Sequence, residues 1–159
     1  MSGATHQTIH VGWREWVRMP SAKVPWIKAK VDTGARTSSL HAFDVDRFER
    51  DGERWVRFSI HPWQGSHEDA VVVERPIADE RVVRSSNGLS EDRIVVMLDL
   101  VLGRREVTAE VTLSNRDEMG FRMLIGREAL EQGFLVDPSQ SYLGGRPKLA
   151  LRRRNRGRA

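Results

Sequence analysis

Val31-Asp32-Thr33-Gly34-Ala35-Arg36-Thr37-Ser38-Ser39-Leu40-His41-Ala42 is the stretch on which the reading of this chain turns. Just before it, Ile27, Ala29 and Val31 alternate with Trp26, Lys28 and Lys30, the two-residue period of a half-buried strand. Asp32-Thr33-Gly34 breaks that period with turn chemistry, and residues 38–43 resume an extended run. An acid therefore hangs in a tight loop between two strands. Gly34 lets the backbone come close to the acid, and the Thr33 hydroxyl is suited to locking the loop. Alone, the tripeptide is ordinary turn chemistry; its setting between strands gives it meaning.

A loop carboxylate becomes a catalyst when a second carboxylate is held against it, because two like charges cannot both ionise and one proton is shared. The charged partner takes a proton from an attacking water while the neutral one hydrogen-bonds the carbonyl oxygen of a peptide. The chain holds a single Asp-Thr-Gly and no internal repeat. A dyad then requires a second copy, so a two-fold homodimer is expected, with Asp32 on its axis; the alternative is a partner acid within the chain, and no spacing selects one.

Outward from this loop the sequence is rich in strands and poor in helix. Residues 9–17 read as a strand ahead of the Trp26 to Val31 alternation. Asp51-Gly52 is a hairpin signal, followed by Val56, Phe58 and Ile60 in alternation and by an apolar run at residues 70–73. Ser85-Ser86-Asn87-Gly88 is a further turn, and residues 94–102 and 106–113 flank Gly103 as a long two-stranded ribbon. Met123, Leu124 and Ile125 form a short apolar strand ended by Gly126. Residues 127–132 are the one convincing helix, stopped by Gly133. The fold class is mainly β, with one short helix toward the C-terminus.

The chain has 159 residues, 39% of them hydrophobic, which supplies one core; residues 1–145 read as one domain. Net charge is +4, yet residues 146–159 hold seven of the 26 cations and no acid, so the remainder is mildly acidic. This tail reads as a solvated, disordered end in preference to an RNA-contacting arm; nucleic acid, if bound, would be held through phosphates. No run approaches the roughly 20 apolar residues of a membrane span. The first ten residues lack the marks of a secretory leader, and a cytoplasmic location is expected. The absence of cysteine removes disulfides, thiolate catalysis and cysteine-ligated zinc. His6, His10, His41, His61 and His67 make no familiar ligand set and no metal residue is assigned; His41 reads as a hydrogen-bonded strand histidine, and His61 and His67 as surface residues. No phosphate-binding glycine motif is present, so the sequence supports no ATP site. Trp13, Trp16, Trp26, Trp55 and Trp63 sit among Val and Ile neighbours and are expected in core or dimer packing.

The loop from Val31 to Ala42, together with Arg84-Ser85-Ser86-Asn87-Gly88 and Met123-Leu124-Ile125-Gly126-Arg127, resembles the retropepsin-like aspartic proteases, and within them the RimK-associated "ATP-dependent zinc proteases". The resemblance spans residues 9–143. It implies a retropepsin-like barrel, half of an acid protease, acting as an endopeptidase through Asp32, with Thr33 and Gly34 shaping the loop. Ala35 and Arg36 would border the substrate, Ser85, Ser86, Asn87 and Gly88 would occupy the place of the substrate-covering flap, and Gly126 and Arg127 would brace the loop. The family name attributes zinc and ATP, and implies a RimK-type glutamate ligase or the ribosome as partner; in such a setting the ATP belongs to the ligase. A non-catalytic regulator on the same fold is the competing expectation, and a metallopeptidase whose zinc depends on His41 is the third. One departure stands out: Arg36 occupies a position where retropepsins commonly carry an acid. Arg127 must then find Glu128 or Glu131, and a basic rim beside Asp32 would favour acidic, glutamate-rich peptides.

Overall fold

A computed structural model of the chain describes residues 7–63, 70–84, 88–115 and 120–154. Six strands close on one another: β2 (Arg14–Met19), β3 (Val24–Val31), β4 (Ser38–His41), β9 (Ser90–Leu102), β10 (Arg105–Ser114) and β11 (Met123–Ile125). Around the ring the order is β10, β4, β11, β3, β2, β9, and pairing of β9 with β10 completes it. β8 (Asp79–Arg84) continues the sheet from β9. Closure removes the exposed edges that an open sheet of this length would present.

A second sheet of three antiparallel strands joins β5 (Phe43–Arg50), β6 (Glu53–Ile60) and β7 (Val71–Pro76), and a short parallel pair joins β1 (Ile9–Val11) to β12 (Phe134–Val136). The β5–β6 turn is Asp51-Gly52, at φ 53° and 80°, the two left-handed positions that a tight hairpin of this twist demands. The alternation after it is real: Val56, Phe58 and Ile60 are fully buried. Inside the barrel, Ile27, Ala29, Leu40, Val96, Leu98, Val111, Met123 and Ile125 leave almost no surface to water. Each such aliphatic side chain contributes about 1.5–3 kcal/mol on burial.

The expected strand over residues 9–17 is two strands. Gly12 separates them because a Cβ there would lie 2.2 Å from the Gln140 carbonyl oxygen. The expected helix shortens to α1 (Arg127–Leu130), and a second helix that the sequence reading did not include, α2 (Leu149–Arg154), lies within the basic C-terminal stretch. β8 and β12 were also not foreseen. No helix among the described residues is long and apolar enough to cross a membrane.

Candidate functional site

β3 and β11 run side by side in parallel, with Val31 opposite Ile125, and the pairing carries one step further: the Asp32 N–H donates to the Ile125 carbonyl at 2.9 Å. Past that bond the chain wraps around its own side chain. Asp32 Oδ1 accepts from the Gly34 N–H at 2.8 Å. A Cβ at residue 34 would sit 3.1 Å from that oxygen, so glycine is what allows the close wrap.

The loop is held from below by the start of α1. The N–H groups of Arg127 and Glu128, which have no partner within their own helix, donate to the carbonyls of Ala35 at 2.7 Å and Arg36 at 3.0 Å. The Gly126 N–H donates to Ser38 Oγ at 3.0 Å. A Cβ on Gly126 would fall 2.5 Å from the Thr37 carbonyl, so only a bare backbone fits between loop and helix. Arg127 Nη1 donates to the Thr33 carbonyl at 3.2 Å; that carbonyl, and no hydrogen bond of the Thr33 hydroxyl, is what ties this residue down among the described residues. The guanidinium also approaches Glu131 at 3.8 Å, one of the two partners expected for it. The other expected partner, Glu128, is taken by Arg36 Nε at 3.0 Å.

Asp32 is half-buried and opens on a cleft of about 370 Å³ that also includes Ala35, Arg36, Ser39, Arg81 and Arg93. Asp32 and three arginines therefore line one cleft. Arg81 stands directly opposite Arg93 across the β8–β9 pair. Arg81 is compensated by Asp79 and Glu110, each at 2.9 Å, and these bonds raise its already high pKa. Arg93 is 17% exposed at its side chain and only 3.7 Å from Glu91, and its buried Nε has no hydrogen-bond partner. A buried donor left open beside a cleft is a natural contact for an incoming anion. Arg81 and Arg93 were missed in the sequence; the register of the hairpin around the Ser-Asn-Gly turn was the signal that would have put them face to face. Gly88, in the connection after β8, has φ 84°, a left-handed position suited to glycine. Ser85, Ser86 and Asn87 lie outside the described residues.

A larger cleft of about 520 Å³ at Arg18, Pro20, Lys23 and Trp26 contains neither carboxylate nor histidine. His41 is buried as expected, but His61 is buried too, against the surface position read for it: both pack on Phe43, with ring centroids 4.4 and 4.1 Å apart. His67 lies outside the described residues. The zinc implied by the family name finds no ligand set here, since among the described residues no three His, Asp or Glu side chains converge. Trp16 and Trp63 are buried as expected, whereas Trp13 is 37% exposed.

Residues 10–147 match the family model described as "RimB-like: Retropepsin-like aspartic endopeptidase RimB". Among curated proteins, one from Desulfotalea psychrophila is 45% identical over 89% of this chain, and one from Shewanella pealeana is 48% identical over 85%; both are named "Probable alpha-L-glutamate ligase". The matches cover 31% and 30% of those proteins, so the chain spans less than a third of their length. A crystal structure of a Legionella pneumophila protein of unknown function superimposes with a TM-score of 0.71 at 26% identity, covering 86% of this chain and 98% of the other.

Proposed function

From the premise that the chain belongs to the RimB-like family of retropepsin-like aspartic endopeptidases, we propose that it hydrolyses peptide bonds in acidic, glutamate-rich segments, using Asp32 from each of two copies. The observation that carries this reading is the Asp32 loop opening on a cleft that Arg36, Arg81 and Arg93 also line. In a two-fold dimer the paired carboxylates share one proton: the charged one removes a proton from water as its oxygen attacks the peptide carbonyl, and the neutral one donates to the carbonyl oxygen. The tetrahedral adduct then collapses as the amine takes up a proton and leaves. Arg36, Arg81 and Arg93 would hold the carboxylates of glutamate side chains, and Gly88 with the preceding Ser85, Ser86 and Asn87 would cover the substrate. No step requires a metal.

Alignment with glutamate ligases supports a setting in which glutamate residues are added by one activity and removed by this one. A second reading comes from the same observation: a non-catalytic module that regulates a ligase through the barrel's surface. The two separate on one substitution. Asp32→Asn is expected to abolish release of glutamate-rich fragments, followed by mass spectrometry, while leaving the thermal midpoint unchanged. Equal cleavage by both proteins would remove Asp32 from the chemistry, and no cleavage by the wild type at any pH from acidic to neutral would favour the module.

A further inference from the structure

A second cationic site lies on β2 and β3, outside the Asp32 cleft. Six side chains close a ring of contacts there. The Arg14 guanidinium lies 4.6 Å from the Trp13 ring and 4.9 Å from that of Tyr142. Tyr142 stacks on Trp16 at 6.3 Å, and Lys28 Nζ lies 5.9 Å from Trp16 and 5.8 Å from Phe121. Phe121 meets Trp13 edge-on at 6.1 Å, which completes the ring. Arg146 adds a second guanidinium 4.9 Å from Tyr142.

None of the three cations has an acidic hydrogen-bond or ion-pair partner among the described residues. Arg14 donates to Ser141 Oγ at 3.2 Å, a neutral group. Glu15, its neighbour in sequence, is fully buried and spends its carboxylate on the N–H groups of Gly12, Leu143 and Gly144. The charges work against one another: burial first, and then Arg14, hold the Lys28 ammonium below its usual range. An anion seated between them would relieve both burdens.

We infer that this ring is a binding site for the carboxylates of an acidic peptide segment, separate from the Asp32 cleft. Guanidiniums already lie over one face of Trp13 and over Tyr142, and Tyr142 lies on Trp16, so few aromatic faces are left on which nucleic-acid bases could stack. The N–H edges of Arg14 and Arg146 are what remain to offer, and they suit carboxylate oxygens. Lys28 precedes Asp32 by four residues on an extended strand, about 13 Å at the usual rise. A glutamate-rich chain engaged at Asp32 needs only four or five further residues to reach it. The identity of the ligand as an extension of the substrate rests on the peptidase reading; the binding itself does not.

The test uses the full Asp32→Asn chain, which is expected not to cleave, with fluorescent oligoglutamate, oligoglutamine and single-stranded oligouridylate as probes in anisotropy titrations. Lys28→Gln combined with Arg146→Gln is expected to weaken oligoglutamate binding about tenfold and flatten its salt dependence, with the thermal midpoint held. Oligoglutamine should not bind in either case. Adding Arg14→Gln should weaken binding further. Unchanged oligoglutamate affinity overturns the proposal, as does tighter binding of oligouridylate that the same substitutions abolish. If the wild-type chain never cleaves a peptide yet the substitutions weaken binding, the peptidase reading fails and this site stands.

Discussion

Arg81 and Arg93 face each other directly across two antiparallel strands, like charges in the position where opposite charges would stabilise the pair. Acids on the flanks offset part of the repulsion: Arg81 reaches both Asp79 and Glu110, whereas among the described residues Arg93 has only a 3.7 Å approach to Glu91. A repulsive cross-strand pair that lines a cleft beside Asp32 makes sense as a receptor for negative charge, at some cost to the fold.

Replacing Arg93 by glutamine should therefore separate function from stability. The expected result is a KM for glutamate-rich peptides raised about tenfold, the size of one charge-assisted hydrogen bond, with little change for neutral peptides. Urea unfolding should show equal or slightly greater stability, because the cross-strand repulsion is gone. A uniform loss of rate for both peptide types would make Arg93 structural.

Gly126→Ala should destabilise by about 1–3 kcal/mol or more through overpacking. The backbone there has φ −94°, which alanine adopts freely, so the cost comes from the close approach to the Thr37 carbonyl at 2.5 Å and the Ala35 carbonyl oxygen at 3.0 Å. Chemical denaturation measures the loss. Because Arg127 and Glu128 hold the Ala35 and Arg36 carbonyls, peptide cleavage should fall by more than the lost folded fraction explains.

Glu15 is the acid whose removal should cost most. Its two oxygens accept three backbone N–H groups, and truncation to alanine leaves all three without an acceptor. At about 1–3 kcal/mol for the buried Gly12 donor and less for each of the part-buried Leu143 and Gly144 donors, Glu15→Ala should lose about 3–5 kcal/mol. Glu15→Gln, which keeps one acceptor oxygen, should fall between that variant and the wild type in the same denaturation series.

Lys28 predicts an alkaline effect of definite sign. Burial and Arg14 lower its pKa in the folded chain below the 10.5 it regains on unfolding. Between those values the unfolded chain binds more protons, so stability rises with pH there. The wild type should gain on Lys28→Gln in urea midpoint as alkaline pH climbs toward 10.5, and Arg14→Gln should shrink that gain. A flat difference across the window would contradict the electrostatic account.

Much of the architecture could be read before the structure, because strand periodicity and turn chemistry are local. Ile27, Ala29 and Val31 declared a buried face by alternation, Asp51-Gly52 declared a tight hairpin, and Gly103 joined two long strands as expected. The Gly126-Arg127 brace was legible from its motif. The division at Gly12 was not, since its cause is the Gln140 carbonyl, 128 residues away in the chain. β12 was missed because a three-residue strand has almost no pattern of its own and exists through pairing with β1. His61 looked polar and exposed; packing on Phe43 is a tertiary fact.

By itself, the sequence determined that an acid sits in a glycine-shaped loop after a buried strand, and that this loop occurs once per chain. Those are matters of neighbouring residues and of counting. The tertiary structure decided which charges meet. Arg36 found Glu128, Arg127 found Glu131 and the Thr33 carbonyl, and Arg81 and Arg93 came to line the Asp32 cleft from strands about 50 to 60 residues downstream. Such encounters depend on barrel closure and strand register, which sum the whole core and cannot be read from any one segment.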